Sequence, residues 1–320
     1  MSEHSHAHEH HHSHDHAHNH ENFEATKGEE LTKILISAFF LALGFIFDDV
    51  LKVNEYLSLV CFGISYVAVG FGVIKNAVED ILSKNIFNEC LMITIASVGA
   101  LIIKEYDEGC AVMLLYAVGE FIHGLALSKS KKAIRTHEKS EAGHDHINEG
   151  GETESFIAKF AKFYTPVICL LAALVILIPP LFLGGEWKEW LYRGFSVLVI
   201  GCPCAIVISV PLSFSCAIDS CTRKGVYIYH SHALESLYKT GSTQGVIAKD
   251  DEGIAFAKKA AKKAVFIARE NVYIALLIKA VVFVLAVFLE KELPMWVAAF
   301  SDVGIAGLAV LNSLRTLRIK

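Results

Sequence analysis

Cys202-Pro203-Cys204 lies inside a stretch, Gly194 to Ile218, that runs 25 residues without a charged side chain. That is more than the roughly 20 residues a helix needs to cross a bilayer. A proline in a helix interior removes one backbone hydrogen bond and disrupts the local turn. Pro203 is therefore expected to kink the helix and bring the two flanking thiols to bear on one ion. Thiolates suit soft or borderline ions such as Zn²⁺, Cd²⁺, Pb²⁺ or Cu⁺. Metal binding also drives the deprotonation that apolar surroundings oppose. The same residues have a plainer reading, two buried cysteines beside a structural kink.

Three ionisable residues in other apolar stretches favour the metal reading: Glu120, Lys279 and Asp302. A charge at the bilayer centre costs at least about 2.5–3.5 kcal/mol, so such residues imply pairing, water access or ion binding. Lys279 has the sign needed to pair with Asp302, either as a structural salt bridge or as a counter-ion released when metal arrives. Gly304, two residues after Asp302, is expected to permit close packing. Glu120 is a candidate transient ligand on an ion path, and His123 follows it one turn later on the same face.

Ten of the sixteen histidines fall in the first twenty residues: His4, His6, His8, His10, His11, His12, His14, His16, His18 and His20. Imidazole is a common Zn²⁺ and Ni²⁺ ligand. The segment is too polar to pack a core, so it is expected to be a disordered chelating tail. Its mixture with Ser, Glu, Asp, Ala and Asn is unlike an expression tag. His137, His144 and His146 form a weaker second patch.

Elements able to position these groups follow from hydropathy. The chain is 53% hydrophobic and 20% charged, with mean hydropathy +0.45, against about 45–50% apolar for soluble domains. Eight spans are expected, near 31–48, 56–76, 90–103, 109–127, 164–184, 192–218, 272–289 and 295–312, in an all-α membrane protein. Gly70 and Gly72 are expected to interrupt the second, whose continuation through Lys75–Leu82 is amphipathic and suited to the membrane surface. With both termini cytoplasmic, 23 Lys and Arg face the cytoplasm and 5 the other side, as the positive-inside rule requires. Net charge is −5, and no basic run with interleaved aromatics suggests a nucleic-acid partner. The eight cysteines follow no secreted disulfide pattern, and the polar N-terminus is not a signal peptide.

Two cytoplasmic loops are longer than the others, Ser128 to Phe163 and Asp219 to Asn271. Their basic ends, Ser128–Arg135 and Ala255–Arg269, read as helices leaving the membrane. Neither polar centre is long enough for an independent catalytic domain. The expected organisation is a His-rich tail (1–30), four spans (31–127), a short loop (128–163), two spans with the Cys-Pro-Cys site (164–218), a second short loop (219–271), and two spans with a short tail (272–320).

Taken together, these residues resemble the heavy-metal-transporting P-type ATPases, in particular the Zn²⁺/Cd²⁺/Pb²⁺ exporters of prokaryotic plasma membranes. The similarity rests on Phe87-Asn88-Glu89-Cys90-Leu91-Met92, on Gly119-Glu120 followed by Ser128-Lys129-Ser130-Lys131-Lys132, and on Thr153–Ile157 with Tyr164-Thr165-Pro166. It continues through Cys202-Pro203-Cys204 with Ser209-Val210-Pro211-Leu212, then Asn271, Lys279 and Asp302-Val303-Gly304. Lys279 and Asp302 stand where copper members carry Asn-Tyr and Met-Ser motifs, which is the zinc-type set. The resemblance implies Cys202, Cys204 and Asp302 as ligands, Lys279 as counter-ion, Glu120 on the path, and Gly70 and Gly72 at a metal-delivery platform.

The departure is large. The family's phosphoryl-acceptor motif Asp-Lys-Thr-Gly-Thr, its Thr-Gly-Glu loop and its Mg²⁺-binding Gly-Asp-Gly-x-Asn-Asp segment do not occur in the sequence. Lys239-Thr240-Gly241 follows Tyr238, and a phenol cannot replace a carboxylate in acyl-phosphate chemistry. The similarity lapses between about Arg135 and Thr153 and between about Leu237 and Asp250, where the family carries its actuator, phosphorylation and nucleotide-binding domains. No ATP or Mg²⁺ site is thus expected, and a separate motor chain is a candidate partner beside the bilayer and divalent metal. Two other functions fit the residues less fully: a membrane protein that binds or senses metal without moving it, and a proton-coupled secondary zinc transporter.

Overall fold

The computed structural model describes residues 23–50, 55–82, 89–138, 152–182, 184–229, 231–288 and 293–319; within these, side chains are not described at 23–25, 49, 50, 55, 89, 123, 126–138 and 152–162. The His4–His20 tail and His137, His144 and His146 fall outside the described backbone or side chains. The chain forms α1 (Phe23–Phe45), α2 (Glu55–Leu82), α3 (Glu89–Ile102), α4 (Tyr106–Glu138), α5 (Glu152–Phe182), α6 (Trp187–Ile200) and α7 (Cys204–Thr222). There follow β1 (Tyr227–Ile228), α8 (Ser231–Lys239), β2 (Val246–Ile247), α9 (Asp251–Phe288) and α10 (Met295–Ser313). A π-helical turn (Ile46–Val50) ends α1 and a 3₁₀ turn (Leu314–Arg318) ends α10.

Among the described residues, six helical stretches are long and apolar enough to cross a bilayer: Thr26–Asp48, Tyr56–Leu82, Phe163–Phe182, Trp187–Thr222, Asp251–Phe288 and Met295–Arg318. Cys90–Ile102 is apolar but shorter, and α4 carries a helical backbone through the fourth expected span. Large apolar side chains such as Val67, Phe71, Leu170 and Leu277 are exposed along these helices, as they are on a protein whose surface is solvated by lipid rather than water.

Away from Cys202-Pro203-Cys204, the structure differs from the sequence expectations at three places. First, α2 runs through Gly70 and Gly72 without a break. Each glycine costs a helix only about 1 kcal/mol relative to alanine, and in lipid an interrupted backbone leaves unsatisfied groups that cost more. A Cβ at Gly70 would meet Tyr66 and Met113 at ordinary contact distance, whereas the space beside Gly72 is open. Second, the space beside Gly304 is also open, so this glycine does not serve close packing; it lies on the exposed side of α10, away from buried Asp302. Third, the second loop contains a small antiparallel pair, Tyr227↔Ile247 and Ile228↔Val246, where the expected fold was all-α. Gly225, with φ +76°, supplies the left-handed turn that leads from α7 into β1. Between the two strands, α8 buries Ala233, Leu234 and Leu237 in a core shared with α7 and α9.

Two apolar cores stack along the bundle. One gathers Ile206, Ile208, Phe214, Leu234, Ile305 and the α9 alanines from Ala257 to Ala275 that are buried. The other gathers Phe62, Met113, Val197, Val199, Ile200 and Met295. Buried Ala257, Ala260, Ala261, Ala264 and Ala268 repeat at helical spacing on α9, and small residues let helix backbones approach closely. Cys202-Pro203-Cys204 falls at the seam between the cores.

Candidate metal centre

The expected kink is a break. α6 ends at Ile200 and α7 begins at Cys204. Pro203 has no N–H to give the preceding turn. Gly201 N–H donates to Val197 O (2.9 Å) and Cys202 N–H closes a tighter turn on Val199 O (3.2 Å). Ile206 and Val207 N–H groups then turn to Pro203 O at 2.9 and 3.1 Å. Gly201 is required here by close approach: a Cβ would lie 2.1 Å from Ile168 Cγ2 and 3.1 Å from Val197 O. The break frees the carbonyl of Ile200, which accepts a hydrogen bond from Lys279 Nζ at 2.9 Å.

Lys279 also pairs with Asp302, and both side chains are almost fully buried. The salt bridge expected from their opposite signs is therefore present. The Asp302 carboxylate and the sulfurs of Cys202 and Cys204 all lie within 4.8 Å of one another. Ligand atoms on one tetrahedral zinc ion lie roughly 3.3–3.8 Å apart, given Zn–S near 2.3 Å and Zn–O near 2.0–2.2 Å. Small side-chain adjustments would bring all three groups onto one ion, leaving a fourth position open. The structure pairs the two sulfurs as a disulfide, with Cα atoms 5.6 Å apart. The reduced pair offers two thiolates from the same places.

A cavity of about 20 Å³ adjoins the site, lined by Tyr116, Glu120, Cys204, Asp302 and apolar neighbours. That is room for a particle the size of a water molecule. Glu120 is thereby brought to the same space as two of the three candidate ligands, and Gly119 beside it packs on Val303. His123 occupies α4, but its side chain lies outside the described set. Gly70 and Gly72 are not among the residues lining the cavity.

One carboxyl was not singled out in the sequence. Glu108, in the first turn of α4 and just outside the expected span 109–127, is 8% exposed and accepts the Trp296 N–H at 3.0 Å. An acid at a helix start reads as an ordinary partner of the helix dipole, so nothing in the pattern marked it. Burial pushes its pKa up to about 7; the Trp296 N–H pulls the other way, and the charges of Asp107 and Glu105 add to the rise. A raised folded-state pKa means the folded protein holds this proton longer than the unfolded chain. The resulting stabilisation is complete below the unfolded value of 4.5 and is lost as pH rises through about 7. Thermal unfolding followed across that window is expected to show a fall in stability with rising pH that Glu108→Gln flattens. An unchanged slope in the variant would assign the dependence to other groups.

No family model matches the chain. It is 27% identical to the cadmium, zinc and cobalt-transporting ATPase of Bacillus subtilis, over 54% of this chain and 38% of that protein. It is 52% identical to a probable cadmium-transporting ATPase of Staphylococcus aureus, over 28% of this chain and 12% of that protein. The zinc-transporting ATPase of Synechocystis is 25% identical over 65% of this chain and 43% of that protein. The chain thus spans well under half the length of these relatives. Among solved structures, a zinc-transporting PIB-type ATPase in its E2.Pi state aligns over 91% of this chain with TM-score 0.61 at 14% identity, a likeness of fold. The homologues of this chain are cadmium- and zinc-transporting P-type ATPases, matched over part of their length.

Proposed function

We propose that this chain carries Zn²⁺, with Cd²⁺ and Pb²⁺ as competing ions, across a plasma membrane through a binding point made by Cys202, Cys204 and Asp302. The observation that carries this reading is the approach of two sulfurs and one carboxylate to within 4.8 Å of one another beside a buried ammonium. Lys279 acts as counter-ion, Glu120 lines the path, and α2 around Gly70 and Gly72 is the platform that receives metal. The chain crosses the bilayer eight times with both termini in the cytoplasm, the arrangement favoured by its distribution of Lys and Arg. The loops 128–163 and 219–271 stand in place of actuator and catalytic domains.

Charge supports the same reading. With both thiols protonated, the Asp302–Lys279 pair makes the empty site neutral. Two thiolates and a carboxylate facing a divalent ion and an ammonium are neutral again. Metal then enters a low-dielectric site without net charge, provided the two thiol protons leave.

With no phosphoryl acceptor in its sequence, the chain does not hydrolyse ATP alone. Ions move down their gradient, or are driven by a separate motor chain. The test is Zn²⁺ uptake into proteoliposomes holding a trapped zinc indicator, with and without ATP and a pH gradient. Uptake independent of ATP and lost in Cys202→Ser and Asp302→Ala is expected. Absence of uptake under every condition would reject transport in favour of metal binding or sensing. An acyl-phosphate formed from ATP by the purified chain would contradict the claim about its chemistry.

A further inference from the structure

On the Ser313 side of the ion pair, α7, α9 and α10 are tied together a second time by buried polar side chains. Asn271 on α9 donates through Nδ2 to Ala309 O (3.1 Å) and to Ser313 Oγ (3.0 Å) on α10. Its Oδ1 accepts from Asn312 Nδ2 at 2.8 Å, and the other Asn312 proton reaches Glu270 Oε2 at 3.0 Å. Ser313 Oγ lies 3.2 Å from Ser209 O on α7 and 2.8 Å from Ala309 O. Having a single proton, it serves one of these at a time. Ser213 Oγ on α7 lies 2.9 Å from Ser313 Oγ. Asn271, Ser209, Ser213 and Ser313 are all buried.

These are the helices that carry the metal groups. Cys204 opens α7, Lys279 lies on α9, and Asp302 lies on α10. Ala309 and Ser313 follow Asp302 by seven and eleven residues, which at about 100° per residue places all three on one face of α10. The Lys279–Asp302 pair by itself holds α9 to α10 at one point, and metal binding competes for that point. When Asp302 turns to an ion, Lys279 keeps Ile200 O but shares or loses its carboxylate. None of the hydrogen bonds given above for the Asn271 cluster uses Asp302, so the exchange takes no partner from them.

We infer that Asn271, with Ser313, is a positioning residue that keeps Asp302 aimed at the two cysteines while Lys279 releases it. The inference rests on Asp302 being a ligand, as proposed above. A cluster that merely glues helices together would lower stability without singling out this one ligand.

A double-mutant cycle separates these alternatives. Cd²⁺ is titrated into the reduced full-length chain, and the ultraviolet charge-transfer band of thiolate-bound Cd²⁺ is followed, since histidines of the tail do not produce it. Asn271→Leu is expected to weaken binding about tenfold and Asp302→Asn about a hundredfold, while the double variant is no weaker than Asp302→Asn. Losing the aim of a ligand that is already gone has no further effect. Ser313→Ala, a smaller change, is expected to couple to Asp302→Asn in the same direction and serves if Asn271→Leu does not fold. Additive losses with an effective Asp302→Asn would overturn the positioning role alone. Wild-type affinity in Asp302→Asn would overturn the ligand reading and the positioning role together.

Discussion

Asp302→Ala is expected to abolish stoichiometric Cd²⁺ or Zn²⁺ binding at the cysteines and also to destabilise the metal-free protein by about 3–5 kcal/mol. The second effect follows from what remains. Lys279 is buried, and without Asp302 its remaining acceptor among the described residues is the carbonyl of Ile200. A buried charge stripped of its partner costs far more than an intact pair contributes, because the desolvation penalty is no longer offset. The two consequences separate cleanly. In Lys279→Met/Asp302→Leu both charges are replaced by apolar side chains of similar size, which is often neutral or stabilising. That variant should recover thermal stability while still failing to bind metal. If it is no more stable than Asp302→Ala, the lost stability does not come from the orphaned ammonium.

The second large effect is protonic. Zn²⁺ binding near pH 7 to the reduced chain is expected to release about two protons from the Cys202/Cys204 site, because a free cysteine is mostly thiol at that pH and only thiolates bind. Any histidine that binds metal also exchanges protons with it, so the measurement is a difference. Cys202→Ser/Cys204→Ser, titrated in the same weakly buffered solution, gives the release due to the tail, and the wild-type excess belongs to the site. The double serine variant should also lose at least a hundredfold in affinity for thiolate-preferring Cd²⁺. Equal proton release from the two proteins would sink the two-thiolate site. Fully oxidised protein, whose sulfurs are bonded to each other, should behave like the serine variant and recover with reductant.

Much of the candidate centre was legible because each part breaks a strong rule. A proline between two cysteines in 25 uncharged residues, and a lysine and an aspartate in later apolar stretches, are each costly enough to call for a partner. Their opposite signs pointed to the pair that forms. Less visible were the partners supplied by the backbone. Ile200 contributes only its carbonyl, which any residue has, and it becomes available only because the helix stops there. Gly201 looks like one of 22 glycines until Ile168 is seen against it. Glu108 is distinguished by burial, which depends on α10 lying over it. The expected break at Gly70 and Gly72 reversed this error, giving local flexibility too much weight against the need of a backbone in lipid to bond with itself. The β1–β2 pair is two residues per strand, too short for any alternation to register.

The Lys279–Asp302 pair also bears on biogenesis. The two residues are 23 positions apart, on helices that are consecutive in the chain. Either helix alone would carry a unit charge into the hydrocarbon, at roughly 2.5–3.5 kcal/mol or more. A hairpin that meets the bilayer with both residues already in register carries none. The contact proposed above to yield to metal would thus first favour insertion of α9 and α10 as one unit, so a ribosome-bound chain arrested between them would expose a lysine with nowhere neutral to go.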